Sequence, residues 1–278
     1  MNYTRSIALS LEKTKFGPVL FGGNVGEGIQ LMSKLGFQSI ELSIRDSNQV
    51  DRKWLSQLLV DSDMSVSGIA TGQSYYNDGY SLVNLDPDKR HKCVDRLKGH
   101  IDLAAQLGAV VILGGIRGVL SEELSDKRFQ IQVFYTHVQD LAIYASDRGV
   151  RLALEPINRY ETNLINTVDD ALAALTEINR DNVGLLLDTF HMNIEEPSMV
   201  DSIRKAGNHI MYMHIADNHR WAPGYGHINF GEILATLKEI NYKGPIAAEI
   251  LPCPSAEEAA KAVIRFWMEI DDGGSQNA

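Results

Sequence analysis

Glu155, Asp188, His214 and Glu249 each close an apolar, strand-like run: RLALE, VGLLLD, IMYMH and PIAAE. Successive members are separated by 33, 26 and 35 residues, each about the length of one strand plus a crossover helix. A lone carboxylate at a strand end ordinarily caps a helix or pairs with a loop cation. Four such groups on consecutive strands are another matter if the strand ends share one mouth. Three carboxylates and an imidazole then crowd together, and a divalent cation is what makes the crowding tolerable. An oxygen-rich donor set with one nitrogen suits Mn²⁺ and accommodates Mg²⁺, Co²⁺ or Fe²⁺. It does not suit a structural zinc site, which favours thiolates and closes with four ligands.

The elements that must carry these groups alternate along the chain. SIALSL (6–11) is followed by a helix over 26–35 that stops at Gly36, and SIELSI (39–44) by a helix over 51–62. SVSGIAT (65–71) precedes a long helix entered through Asp86-Pro87, a capping carboxylate followed by a residue suited to the first helical position. VVILGG (110–115) leads to a helix over 128–148, and RLALEP (151–156) to one opening at Thr167 with capping-box spacing to Asp170. VGLLLDT (183–189), IMYMHIAD (210–217) and PIAAEI (245–250) precede helices over 198–206, 230–240 and from Ser255. Eight such units in 278 residues read as one (β/α)₈ TIM-barrel domain spanning 1–278, with a flexible tail from about 271. The strands read as apolar on both faces, as buried parallel strands do. An open doubly wound sheet is the alternative, but Gly22, Gly23, Gly26 and Gly28 lack the spacing of a phosphate-binding turn. Barrels of this kind keep their chemistry at the C-terminal strand ends, where all four marked residues fall.

Bulk properties narrow the partners. A formal charge of −10 opposes nucleic acid, whose phosphates need Lys/Arg patches, and offers nothing to an anionic membrane surface. No stretch reaches the roughly 20 apolar residues of a membrane helix, and the N-terminus has no signal-peptide pattern. A cytoplasmic protein with reduced thiols at Cys93 and Cys253 is expected.

Around the marked residues, EPINRYETN, LLDTFHMN, MHIADNHRWAPGYGHINF and AAEIL resemble the sugar isomerase/epimerase family built on the xylose-isomerase-like TIM barrel. ATGQSYYNDGYSL (70–82), EPINRYETNLINT and DTFHMNIEE bring the likeness nearest to the ketose 3-epimerases of the D-tagatose, D-psicose and 5-keto-L-gluconate type. The resemblance implies metal ligation by Glu155, Asp188, His214 and Glu249, with Glu155 and Glu249 also the proton-transfer pair. It implies that Glu161, His191 and Arg220 hold oxygens of a small-molecule sugar, and that the chain self-associates as a homodimer or homotetramer. The chemistry agrees. Inverting a carbinol carbon beside a ketone removes a weakly acidic proton and returns one to the opposite face, so it needs a cation at the oxygens and two carboxylates on well-separated strands. Aldose–ketose isomerisation of the inosose or hydroxypyruvate kind shares the enediolate and is the alternative. Endonucleases of the same barrel use several zinc ions and more histidines, and the acidic charge argues against that class.

Three further positions carry weaker expectations. Arg117, in GGIRG after the fourth strand, reaches the mouth and selects an acid substrate. Gln73, with Tyr75, follows the third strand and lines the pocket. Trp221, beside Arg220, forms an apolar wall. The segment KFGPVLFGGNVGEG after the first strand lacks an obvious aromatic cluster, which leaves the far end of the sugar site open.

Overall fold

Eight parallel strands close in chain order: β1 (Arg5–Ser10), β2 (Ser39–Ser43), β3 (Ser65–Ala70), β4 (Val110–Leu113), β5 (Leu152–Leu154), β6 (Val183–Asp188), β7 (Ile210–Ile215) and β8 (Ile246–Ala248). β8 returns to β1, pairing Ile246 with Arg5 and Ala248 with Ile7. The structure is a computed structural model that describes residues 3–275. Among the described residues ten α-helices surround the barrel: α1 (Val25–Leu35), α2 (Arg52–Asp61), α3 (Gln73–Asp78), α4 (Pro87–Leu107), α5 (Leu124–Ser146), α6 (Val168–Ile178), α7 (Thr189–Glu195), α8 (Met199–Ala206), α9 (Phe230–Glu239) and α10 (Ala256–Ser275).

The punctuation acts as its chemistry dictates. Asp86 accepts from the amides of Asp88 and Lys89 at the start of α4, Thr167 and Asp170 form a reciprocal capping box on α6, and Ser255 accepts from Glu258. Two helices exceed the eight expected, and both stand at the mouth. α7 starts directly from β6 because the Asp188 carboxylate accepts from the Phe190 amide at 2.8 Å. α3 follows β3 and ends at Gly79, whose φ of 69° permits the left-handed stop. α10 runs past Asp271, where the sequence suggested a flexible tail, and Arg5 donates to the Asp271 carboxylate at 2.6 Å. Residues 276–278 of that expected tail lie outside the described residues.

The strands are not uniformly apolar. In β2, Ile40 and Leu42 face the helix layer while Ser39, Glu41 and Ser43 are buried between them in alternation. Ser6 on β1 bonds Ser67 on β3 at 2.8 Å across the interior. Ala70 of β3 joins Val110, Ile112, Ala153, Leu186, Tyr212 and Ala247 in an inner apolar cluster distinct from the outer core. The barrel interior therefore carries a polar patch on β1–β3 beside an apolar cluster, and the functional groups stand above both.

Candidate active site

β5 and β8 are three residues long, so Glu155 and Glu249 begin one residue past them, where the backbone leaves the sheet and aims their side chains over the lumen. Asp188 ends β6 and is paired in register with His214 on β7. One donor atom from each of these four buried residues lies within 4.8 Å of the others. His214 Nδ1 is 3.5 Å from Glu155 Oε1 and 3.8 Å from Glu249 Oε2. That nitrogen and Asp188 Oδ2 are buried without a hydrogen-bond partner. Orphaned polar atoms at this depth are costly, and here two converge with two carboxylates on one point. The set fits a hard divalent cation with oxygen donors and one imidazole.

Electrostatics follow from the crowding. Burial pushes the Glu249 carboxyl up to about 8, against the opposing pull of Arg220 and His214, and lifts Asp188 to about 6. Burial disfavours the imidazolium of His214, but the carboxylates of Glu41, Glu249 and Glu155 outweigh it and hold the group well above its ordinary value. Without a cation the cluster therefore carries protons that ligation must displace.

Arg220 closes the site from the β7–α9 loop. Its guanidinium donates to Glu249, lies 3.5 Å from Glu161 and 3.6 Å from Asp188, and stacks over Phe190 at 4.6 Å. The backbone at Arg220 is left-handed, with φ of 63°. It is held there because its amide donates to the Asp217 carbonyl and its own carbonyl accepts from Leu251, both at 2.7 Å. Asp217, fully buried, in turn accepts from the amides of Asn218, Gly224, Gly226 and Ile228 at 2.7–3.2 Å. A Cβ at Gly226 would sit 2.2 Å from the Asp217 carboxylate, so the glycine is required by that approach.

His191, on α7, turns its Nε2 into the site, 3.7 Å from Asp188 and 3.9 Å from Glu155. Asn158 donates to His191 Nδ1 at 2.8 Å and to Glu161 Oε1 at 2.9 Å. Nδ1 is thus the acceptor, and Nε2–H is available as a donor. Burial, with help from Arg220, holds His191 well below its ordinary value and keeps the ring neutral. Phe16 and Tyr76 stack at 5.4 Å over the cavity, and Tyr76 donates to Glu161 at 3.4 Å. The cavity is lined by these rings, Gln73, Glu155, Glu161, His191, His214, Arg220 and Glu249.

Two of the weaker expectations need correction. Arg117 is fully buried and does not line the cavity. Its guanidinium donates to the carbonyls of Leu164 and Ile165 at 2.9 and 3.1 Å and to that of Glu155. The turn after β4 folds the side chain under the β5–α6 loop, so Arg117 braces the backbone that presents Glu155. Burial lowers its pKa to about 10, which still leaves it charged at neutral pH. Arg117→Met is expected to destabilise the fold by on the order of 3 kcal/mol, through stranded carbonyls; urea denaturation with an unshifted midpoint would contradict this. Trp221 stacks on His219 at 4.9 Å and leaves the apolar wall to Phe16 and Tyr76, with Tyr76 in the place expected of Tyr75. Gln73 does reach the cavity, and its amide donates to the Ser10 and Ser43 hydroxyls at 2.8 and 2.9 Å.

Gly114, after β4, has a specific reason to lack a side chain. A Cβ there would lie 2.3 Å from Glu155 Oε2. Gly114→Ala must displace that carboxylate by about 1 Å, which is expected to reduce kcat/KM by up to about 100-fold while the circular dichroism spectrum stays native. Full activity in that variant would show that the position of Glu155 is not critical.

Sequence reasoning passed over Glu41, Asn158, Asp217, Phe16 and Tyr76. Asn158 and Asp217 stand inside the motifs that drew attention to their neighbours. Glu41 is fully buried in the middle of β2 and contacts His214 Nε2 at 2.7 Å.

Comparison with known proteins agrees with this geometry. Residues 29–270 match the family model for a xylose isomerase-like TIM barrel. The chain is 35% identical over 239 residues to an L-ribulose 3-epimerase of Methylomonas sp. (strain DH-1), covering 86% of this chain and 82% of that one. It is 32% identical over 243 residues to a ketose 3-epimerase of Arthrobacter globiformis, covering 87% and 83%. A crystal structure of D-allulose 3-epimerase from Methylomonas sp. in complex with D-allulose superposes with a TM-score of 0.82 at 27% identity over 96% of each chain. Among the described residues no helix is long and apolar enough to cross a membrane. By sequence and by fold, the chain belongs to the xylose isomerase-like TIM-barrel family and, within it, to the ketose 3-epimerases.

Proposed function

We propose that this protein inverts C3 of a ketose through an enediolate, with Glu155 and Glu249 exchanging protons on opposite faces of the substrate and Mn²⁺ as the resident cation. The observation that carries the reading is the convergence of Glu155, Asp188, His214 and Glu249, three of which line the cavity at the barrel mouth. A divalent cation held by these four, when bound, polarises the ketone and offsets negative charge developing on its oxygens. Glu155 and Glu249 come from β5 and β8, on either side of β6 and β7, so they approach a flat enediolate from two directions. One carboxylate takes the C3 proton while the other, protonated, delivers a proton across the plane. His191 Nε2–H and Arg220 donate to substrate oxygens, and Glu161 accepts from a hydroxyl. Phe16 and Tyr76 cover the sugar and reduce access of water to the enediolate.

The cavity supports a neutral ketose. Arg220 is its one arginine or lysine among the described residues, and it is already engaged by Glu249 and Glu161. Incubation of L-ribulose, D-allulose, D-tagatose and 5-keto-gluconate in deuterated water tests both points. Deuterium entering C3 with inversion supports the proposal. Label at C2 of an aldose product and at C1 of the recovered ketose, with none at C3, assigns aldose–ketose isomerisation instead, and preference for the acid sugar would overturn the neutral-ketose reading.

A further inference from the structure

Glu41 has no access to substrate. It lies two residues below the mouth end of β2, fully buried, with Ala8 and Gly68 as its cross-strand neighbours. A carboxylate at that depth, with Oε1 lacking any hydrogen-bond partner, is expensive unless it is held for a purpose. Three features of the chain put it there. The register of β2 against β3 shifts between Ile40 and Glu41, leaving Ser67 of β3 as the extra residue, while the regular alternation of β2 turns Glu41 inward beside it. The glycine at position 68 leaves room for the Tyr212 hydroxyl, which a Cβ would approach to 3.0 Å. Tyr212 sets its ring edge-on to the His214 ring, 5.6 Å between centroids at 88°, and ties its hydroxyl to Ser67 at 2.7 Å.

The result is a layer beneath the four converging side chains, in which Tyr212 limits rotation of the His214 ring and Glu41 accepts from Nε2–H at 2.7 Å. We propose that Glu41 is a positioning residue for the metal site, fixing His214 in the tautomer and orientation that aim its Nδ1 lone pair at the cation. With Nε2 occupied by a charged acceptor, Nδ1 is the nitrogen left to ligate, and the acceptor strengthens it as a donor. Nδ1 is the atom that faces Glu155 and Glu249, so geometry and tautomer agree. The inference rests on the metal reading of the site.

The test is Mn²⁺ binding, by calorimetry and by the loss of the free-ion electron spin resonance signal, in wild type, Glu41→Gln and Glu41→Ala. Near-UV circular dichroism serves as the check of folding. Glu41→Ala is expected to raise the Mn²⁺ Kd by about 10- to 100-fold, and Glu41→Gln, which keeps an acceptor but no charge, to fall between it and wild type. At saturating Mn²⁺ kcat should change far less than Kd, because Glu41 touches no substrate. An unchanged Kd in folded Glu41→Gln and Glu41→Ala overturns the proposal. So does a Glu41→Gln chain that fails to fold with or without Mn²⁺, which would assign the residue to barrel stability. Failure of the wild type to bind Mn²⁺ or any other divalent cation overturns the metal reading itself, and the wild-type titration alone reveals it.

Discussion

Glu249→Gln, and separately Glu155→Gln, are each expected to lower the rate of C3 inversion by about 10²- to 10⁴-fold in a chain that still folds. Glutamine keeps the shape of the side chain but can neither take nor supply the proton. The fold should tolerate the change because glutamine fills the same space and adds no charge to a site where three acidic side chains lie within reach of one another. Loss of turnover alone would not separate proton transfer from weakened ligation, so the informative readout is exchange. In Glu249→Gln the remaining Glu155 can still remove and return a proton on its own face. One C3 epimer should then exchange its C3 hydrogen with deuterated water without inverting, provided Mn²⁺ is present at a concentration that fills the site. Glu155→Gln should show the converse with the other epimer. Inversion at the wild-type rate in either variant would remove the two-carboxylate scheme, and equal exchange of both epimers in one variant would relocate the base.

The four converging residues were legible because each interrupts an apolar run at its end and the runs recur at one βα period. Polarity in that position has few structural uses, and repetition excludes most of them. Glu41 was less visible for a physical reason. It sits in mid-strand, where a polar residue usually signals a solvent-facing side, and SIELS reads equally well as an ordinary amphipathic strand. The available signal was alternation in a barrel strand that has no solvent face: Ser39, Glu41 and Ser43 are all buried, so their shared face can only be the lumen. Arg117 failed in the opposite sense. A loop arginine after a barrel strand looks aimed at substrate, but GGIRG turns tightly enough to fold the guanidinium onto the carbonyls of Glu155, Leu164 and Ile165. Periodicity locates the start of a loop and not its path. The mouth helices α3 and α7 escaped notice likewise, since each is under two turns long and too short for an apolar period to register.

Chelation of divalent cations should abolish turnover, and Mn²⁺ should restore it, with a pH dependence set by the cluster itself. In the metal-free site burial holds Glu249 near 8, and neighbouring carboxylates hold His214 above its ordinary value. Both groups therefore carry protons at pH 7, and both must lose them to present lone pairs to a cation. For a group whose pKa is raised, the proton-bound form predominates below that pKa, so protons compete with metal on the acid side and stop competing above it. Mn²⁺ affinity should accordingly rise by at least about tenfold per unit between pH 6 and 8 and begin to level as Glu249 ionises unaided. The same linkage demands release of more than one proton per Mn²⁺ bound at pH 7. Calorimetric titration in buffers of different ionisation enthalpy measures that number directly. A pH-independent affinity with no proton release would mean that the carboxylates are already ionised without metal. Arg220, which bonds Glu249 and lies near Asp188 and Glu161, would then be the dominant counter-charge of the resting site. Arg220→Ala separates the two cases: if Arg220 alone neutralises the cluster, its removal should tighten the dependence of binding on pH, and if protons already do so, the slope should change little.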